Sequence, residues 1–92
     1  MSVKYDFGGQ AVIVTGASRG VGRVMVERFV AAGAAVVAAD RDEAGLAETV
    51  AALPGDRVAA VAADVSEEAG AKAIVAAAVA RFGRLDVCVN DA

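Results

Sequence analysis

Histidine and tryptophan are absent from this 92-residue sequence, and there is one cysteine, Cys88, and one proline, Pro54. Without histidine there is no imidazole general base, and the commonest zinc ligand is missing, so no metal site is expected. A lone cysteine can form no internal disulfide, which matches a reducing compartment and an expected cytoplasmic location. No apolar run approaches ~20 residues without a charge or glycine, and the N-terminal MSVKYDFGGQ is polar. Neither a membrane span nor a secretory leader is expected. Basic residues are few and scattered, nine against twelve acids, and the net charge of −3 argues against a nucleic-acid partner. Aromatic residues are scarce too: one tyrosine and three phenylalanines. What is abundant is alanine, 24 residues in a chain that is 58% apolar. Such a chain can build the core of one small domain, but alanine buries little area per residue and the stability expected is modest.

Apolar runs alternate with helical patterns. AVIV (11–14) is short, continuous and β-branched apart from Ala11, as a strand buried on both faces requires. From Val21 the spacing changes. Val21, Val24, Met25, Phe29 and Ala32 recur at three and four and predict the buried face of a helix, with Arg23, Glu27 and Arg28 mostly on its solvent side. Gly33 stands where a left-handed residue would close that helix. AAVVAAD (34–40) reads as a second strand, and RDEAGLAETVAAL (41–53) as a helix with acids in its first turn, broken at Pro54-Gly55. RVAAVAAD (57–64) is a third strand, a helix starts at Ser66 and runs to Gly83, and LDVCVN (85–90) is a fourth strand. This alternation predicts βαβ units, a parallel sheet and right-handed crossovers. The fold expected is α/β, a Rossmann-type doubly wound parallel sheet, incomplete at four strands and three helices, in the order 3-2-1-4. Residues 1–92 would then be a single partial dinucleotide-binding domain. Alternation alone leaves a flavodoxin-like fold open, while the lack of GK[ST] after the first strand excludes a P-loop.

Chemistry concentrates in TGASRGVG (15–22), where the first strand gives way to the first helix. A pyrophosphate is held at such a junction because free N–H groups and the positive end of the helix dipole converge there. Side chains would block the approach, so glycines recur at fixed offsets, here four from Gly16 to Gly20 and two from Gly20 to Gly22. Asp40 ends the next strand 18 residues after Gly22. The segment resembles the Thr-Gly-x-x-x-Gly-x-Gly motif of the short-chain dehydrogenases/reductases. ADV (63–65) resembles the family's adenine-contacting step after the third strand, and VNDA (89–92) the start of its Asn-Asn-Ala-Gly motif after the fourth. The resemblance spans essentially the whole chain. It implies that Thr15 steadies the turn and that Gly16, Gly20 and Gly22 let the backbone approach the cofactor. Ser18, Arg19 and Val21 would offer donors to the adenosine ribose and pyrophosphate. Asp64 would accept from the adenine amino group, the Val65 backbone would meet the ring, and Asn90 would line the ribose. Asp91, where the family usually has asparagine, departs from the pattern. Apart from the resemblance, Asp40 and Asp64 also fit simple strand-end caps, and Arg41 fits a solvated loop residue.

A carboxylate ending the second strand can accept both ribose hydroxyls of NAD and repels a 2′-phosphate. Arg19 and Arg41 pull the other way, toward NADP. At close range in a partly dry pocket the acid facing a phosphate is the larger effect, on the order of a few kcal/mol, so NAD is the cofactor expected. The family's hydride transfer uses a tyrosine with a lysine four residues on, and an orienting serine. Here the only tyrosine is Tyr5, followed four residues later by Gly9, and the only lysines are Lys4 and Lys72. No catalytic residue is therefore expected among these 92. Two functions follow: the cofactor-binding half of an NAD-dependent oxidoreductase acting on a small alcohol or carbonyl compound, or a non-catalytic nucleotide-binding or interaction module, a fragment or truncated product. For the 92 residues alone, a homo-oligomer joined through residues 85–90, or else a partly folded, aggregation-prone state, is expected, because an unpaired apolar strand edge invites pairing.

Overall fold

The computed structural model describes residues 8–90; Asp91 lies outside them. The elements run β1 (Ala11–Thr15), α1 (Gly20–Ala31), β2 (Ala35–Asp40), α2 (Glu43–Val50), β3 (Val58–Ala62), α3 (Glu68–Phe82) and β4 (Val87–Asn90). The four strands form one sheet in the order β3-β2-β1-β4. Every pairing is parallel, with Val12 level with Val36 on one side and with Val87 on the other. The Rossmann-like order 3-2-1-4 expected for the doubly wound fold is the order observed.

Why the apolar runs are continuous in the middle of the sheet and broken at its edges follows from which strands are covered. All five residues of β1 are buried, as are the middle four of β2. One face packs Val12, Val14, Val36, Ala38 and Val58 against Val26 and Val30 of α1 and Leu46 of α2. The opposite face packs Ile13, Val37, Ala39 and Ala59 against Ile74 and Ala78 of α3. β4, at the edge, alternates between half-buried and exposed residues. Among the described residues no helix is long and apolar enough to cross a membrane.

The orientation of α1 differs from the expected face. Its buried residues are Gly22, Val26 and Val30, while Val21 and Val24 are 64% and 47% exposed. The cause is Gly22. A Cβ built there would lie 2.0 Å from the Gly16 carbonyl oxygen, so the helix presses its backbone against the preceding turn. That contact fixes the rotation, and the row four residues apart from Gly22 becomes the inner face. α3 begins in the same way, with Gly70 against the Asp64 carbonyl.

The helix ends obey local rules with one correction. α1 closes on Gly33 (φ 96°), with Gly33 N–H donating to Val30 C=O and Ala34 N–H to Phe29 C=O, a Schellman closure. Asp42 caps α2 by accepting from Gly45 N–H. Ser66 does not open α3. Its N–H and hydroxyl both donate to Asp64 Oδ1, at 2.9 and 2.6 Å, which holds it in the turn, and α3 starts at Glu68.

Candidate nucleotide site

In a parallel sheet all strand C-termini lie at one edge, so Thr15, Asp40, Ala62 and Asn90 end together. The chain winds outward from β1 through β2 to β3, then returns to add β4 on the other side of β1. Ligands bind doubly wound sheets in the crevice at such a reversal. Beside it lies a cleft of about 330 Å³ lined by Gly16, Asp40, Arg41, Ala63, Asp64, Val65 and Ser66.

The floor is the turn between β1 and α1. Gly16 (φ 69°) and Gly20 (φ 59°) adopt left-handed backbone, which glycine reaches without the penalty a side chain would bring. A Cβ on Gly20 would meet nothing within 4 Å, so this side of the turn is open. α1 is also the one described helix with no acid in its first turn; Glu43 and Glu68 stand in those of α2 and α3. Its N-cap, Arg19, makes no side-chain capping bond and is exposed. The positive pole of α1 thus has no carboxylate in its own first turn and faces an open turn, which suits an anion. Val21 is exposed in the same first turn.

Asp40 terminates β2 within the cleft. Its Oδ2 accepts from Ser18 N–H at 3.2 Å and its Oδ1 from Asp42 N–H at 2.9 Å. Burial opposes its ionisation, but the N–H groups of Asp42, Ser18 and Arg41 and the Ser18 hydroxyl outweigh this and hold its pKa below the ordinary 3.8. Asp64 sits across the cleft after β3. The Ser66 hydroxyl and N–H, with the nearby Arg41 guanidinium, lower its pKa as well. Both acids are therefore ionised acceptors at neutral pH. Arg41 turns to Asp64, 3.4 Å away, with 78% of its side chain exposed, a pair of little energetic weight. Val65, half-buried, forms part of the same wall.

Thr15 and Asn90 end neighbouring strands. The buried Thr15 hydroxyl donates to Asn90 Oδ1 at 2.9 Å and lies 3.4 Å from the Val89 carbonyl oxygen, so it joins β1 to β4. Of the site residues expected from sequence, Gly16, Asp40, Arg41, Asp64 and Val65 line one cleft; Ser18 touches it through Asp40. Thr15 and Asn90 stand beside one another at the β1–β4 end instead.

Two residues around the turn carried no sequence signal. Arg23, expected on the solvent side of α1, reaches α2: its Nε donates to Thr49 Oγ1 at 2.9 Å and its Nη2 to the Ser18 carbonyl at 2.6 Å. Thr49 is buried, and its hydroxyl donates to the Ala17 carbonyl at 2.8 Å. The partners are 26 residues apart in the chain, so no local periodicity could pair them.

A short chain dehydrogenase family profile matches residues 10–92. The chain is 47% identical over 87 residues to 2,3-dihydroxy-2,3-dihydro-p-cumate dehydrogenase of Pseudomonas putida, an alignment covering 91% of this chain and 34% of that protein. Its fold superposes on the crystal structure of a glucose/ribitol-type short-chain dehydrogenase/reductase from Brucella melitensis with a TM-score of 0.89 and 38% identity, over 94% of this chain and 37% of the other. A short-chain dehydrogenase/reductase from Burkholderia phymatum, solved in complex with NAD, gives a TM-score of 0.85 at 37% identity, over 91% and 31%. The chain thus spans about a third of the length of the proteins it matches. Sheet order, glycine turn, matched profile and relatives agree: the chain belongs to the short chain dehydrogenase family, oxidoreductases built on a nicotinamide-nucleotide-binding fold.

Proposed function

We propose that these residues form the NAD-binding half of a short-chain oxidoreductase whose substrate is a small alcohol or carbonyl compound. The observation that carries this reading is Asp40, an ionised acceptor ending β2 and facing the cleft. Its carboxylate suits the two ribose hydroxyls of NAD and disfavours the 2′-phosphate of NADP. The pyrophosphate would lie over the open turn at Gly16 and Gly20, at the N-terminal end of α1, with Ser18, Arg19, Val21 and Gly22 around it. Asp64 and Val65 would take the adenine, and Thr15 and Asn90 stand nearest the nicotinamide side. The bound cofactor supplies the hydride chemistry; the residues here bind it, orient it and set its identity. The NAD-bound Burkholderia phymatum relative supports the choice.

The test is Asp40→Ala, titrated with both cofactors. Because Asp40 also holds Ser18 N–H, its loss acts on the turn that serves both cofactors, and the ratio is the readout. The expected result is an NAD-to-NADP affinity ratio reduced on the order of tenfold or more, the share of a charge contact. An unchanged ratio refutes the NAD assignment.

A second reading, a non-catalytic nucleotide-binding module, rests on the sequence itself, whose one tyrosine has no lysine four residues on. On that basis the 92 residues alone turn over no alcohol or ketone with NAD or NADH. Turnover above buffer that is abolished by Gly20→Val refutes this.

A further inference from the structure

We propose that Arg23 and Thr49 are positioning residues that hold the peptide planes of the glycine turn in the orientation a pyrophosphate needs; the inference rests on the nucleotide reading above. Thr49, from the last turn of α2, places its hydroxyl 2.8 Å from the Ala17 carbonyl oxygen and 3.1 Å from that of Gly45, with its one proton directed at the nearer, while its oxygen accepts from Arg23 Nε. The Arg23 Nη2 donates to the Ser18 carbonyl at 2.6 Å and lies 3.4 Å from the Gly45 carbonyl oxygen and 3.3 Å from a Glu48 carboxylate oxygen. Two successive carbonyls of the turn, Ala17 and Ser18, are thus drawn to the α2 side.

The described backbone contains no cis peptide bond, and in a trans peptide the N–H points opposite to the C=O before it. With the Ala17 carbonyl held by Thr49, the Ser18 N–H is directed away from it, and it meets Asp40 Oδ2. With the Ser18 carbonyl held by Arg23, the Arg19 N–H is turned away from α2 by the same constraint. Arg19 is the N-cap of the helix whose first turn carries no acid, so this N–H belongs to the anion-binding end. Close packing at the α2 start adds rigidity, since a Cβ on Gly45 would lie 2.6 Å from Ser18 Cβ. Without the brace the segment between the two conformationally permissive residues, Gly16 and Gly20, is freer to turn its peptide planes.

The brace serves the ribose–pyrophosphate side and not the adenine, whose expected partners, Asp64 and Val65, lie across the cleft after β3. Titration of adenine and ADP, by calorimetry, separates the two. Thr49→Val keeps the shape and all charges and removes the hydroxyl; Arg23→Lys keeps the charge and removes the fork. Each is expected to lower ADP affinity about tenfold while adenine affinity changes less than about twofold. Full ADP affinity in Thr49→Val, or full rescue by Arg23→Lys, overturns the proposal and leaves Arg23 a mere source of positive charge. An equal loss for adenine and ADP overturns it in favour of general loosening, which thermal unfolding of the same variants reveals independently. If the unsubstituted protein binds neither ligand, the nucleotide reading fails and this inference falls with it. Wild-type binding with unaltered variants refutes the inference alone.

Discussion

Gly20 and Gly22 lie two residues apart in one turn, yet a methyl group added to each meets different surroundings. At Gly22 it would stand 2.0 Å from the Gly16 oxygen and 2.7 Å from its carbon, both backbone atoms with nowhere to go. Gly22→Ala must push α1 off the turn and is expected to cost roughly 2–3 kcal/mol by overpacking. Gly20→Ala meets open space and is strained only through its positive φ, an expected cost of about 1 kcal/mol. Urea unfolding of the two variants checks the order; equal losses would contradict it. The turn was legible in the sequence because glycine is the one residue that solves both problems, so its spacing survives as a pattern. Arg23 and Thr49 were not legible, because arginine on a helix reads as solvated until the partner helix is in place.

At the scale of elements, β4 is an edge strand with little to bury, held by one strand neighbour and a side-chain clasp at each end. It has four residues, and Cys88 and Asn90 are exposed. It is clasped at both ends, by Thr15 to Asn90 at the top and at the bottom by Asp86, whose Oδ2 accepts the Ala11 N–H at 2.8 Å. The Arg84 guanidinium, bonded to both Asp86 carboxylate oxygens, and the Ala11 N–H hold the Asp86 pKa below the ordinary 3.8. A carboxylate whose folded pKa is depressed stabilises fully above its unfolded value, and the contribution is lost as pH falls through the folded one. Protection of the Val87–Val89 amides from hydrogen exchange is therefore expected to drop below about pH 4, where carboxylates titrate. Asp86→Asn should lower it already at neutral pH and flatten its acid dependence; an unchanged acid profile would remove Asp86 from the account. The central strands β1 and β2 could be read from their continuous apolar runs, which burial on both faces demands; the strand order came from the doubly wound fold expected and not from the runs themselves. The rotation of α1 could not, because Val21 and Val24 fit a helical period as well as Val26 and Val30 do. The choice between them was made by a backbone contact outside the helix.

Taken as a whole, the described molecule has its sheet covered on both faces at β1 and β2 and thinly covered toward β4. The outer side of β4 has no strand partner among the described residues, and Val75, Val79 and Leu85 are 45%, 55% and 38% exposed. Where these 92 residues stand alone, association through residues 85–90 is the expected outcome. Light scattering across about a hundredfold dilution should show mass falling with concentration, and Cys88→Lys, which sets a charge on the exposed side of that strand, should shift the balance to monomer. A monomer at every concentration would count against an open edge. The paired glycine contacts carry a separate consequence. Gly22 against the Gly16 carbonyl and Gly70 against the Asp64 carbonyl use the same six-residue offset at the two walls of one cleft. Each leaves its helix without play along or about its axis. The backbone freedom of both walls is thus surrendered during folding, before any ligand arrives, and a guest in the cleft has little but exposed side chains such as Arg41 left to order.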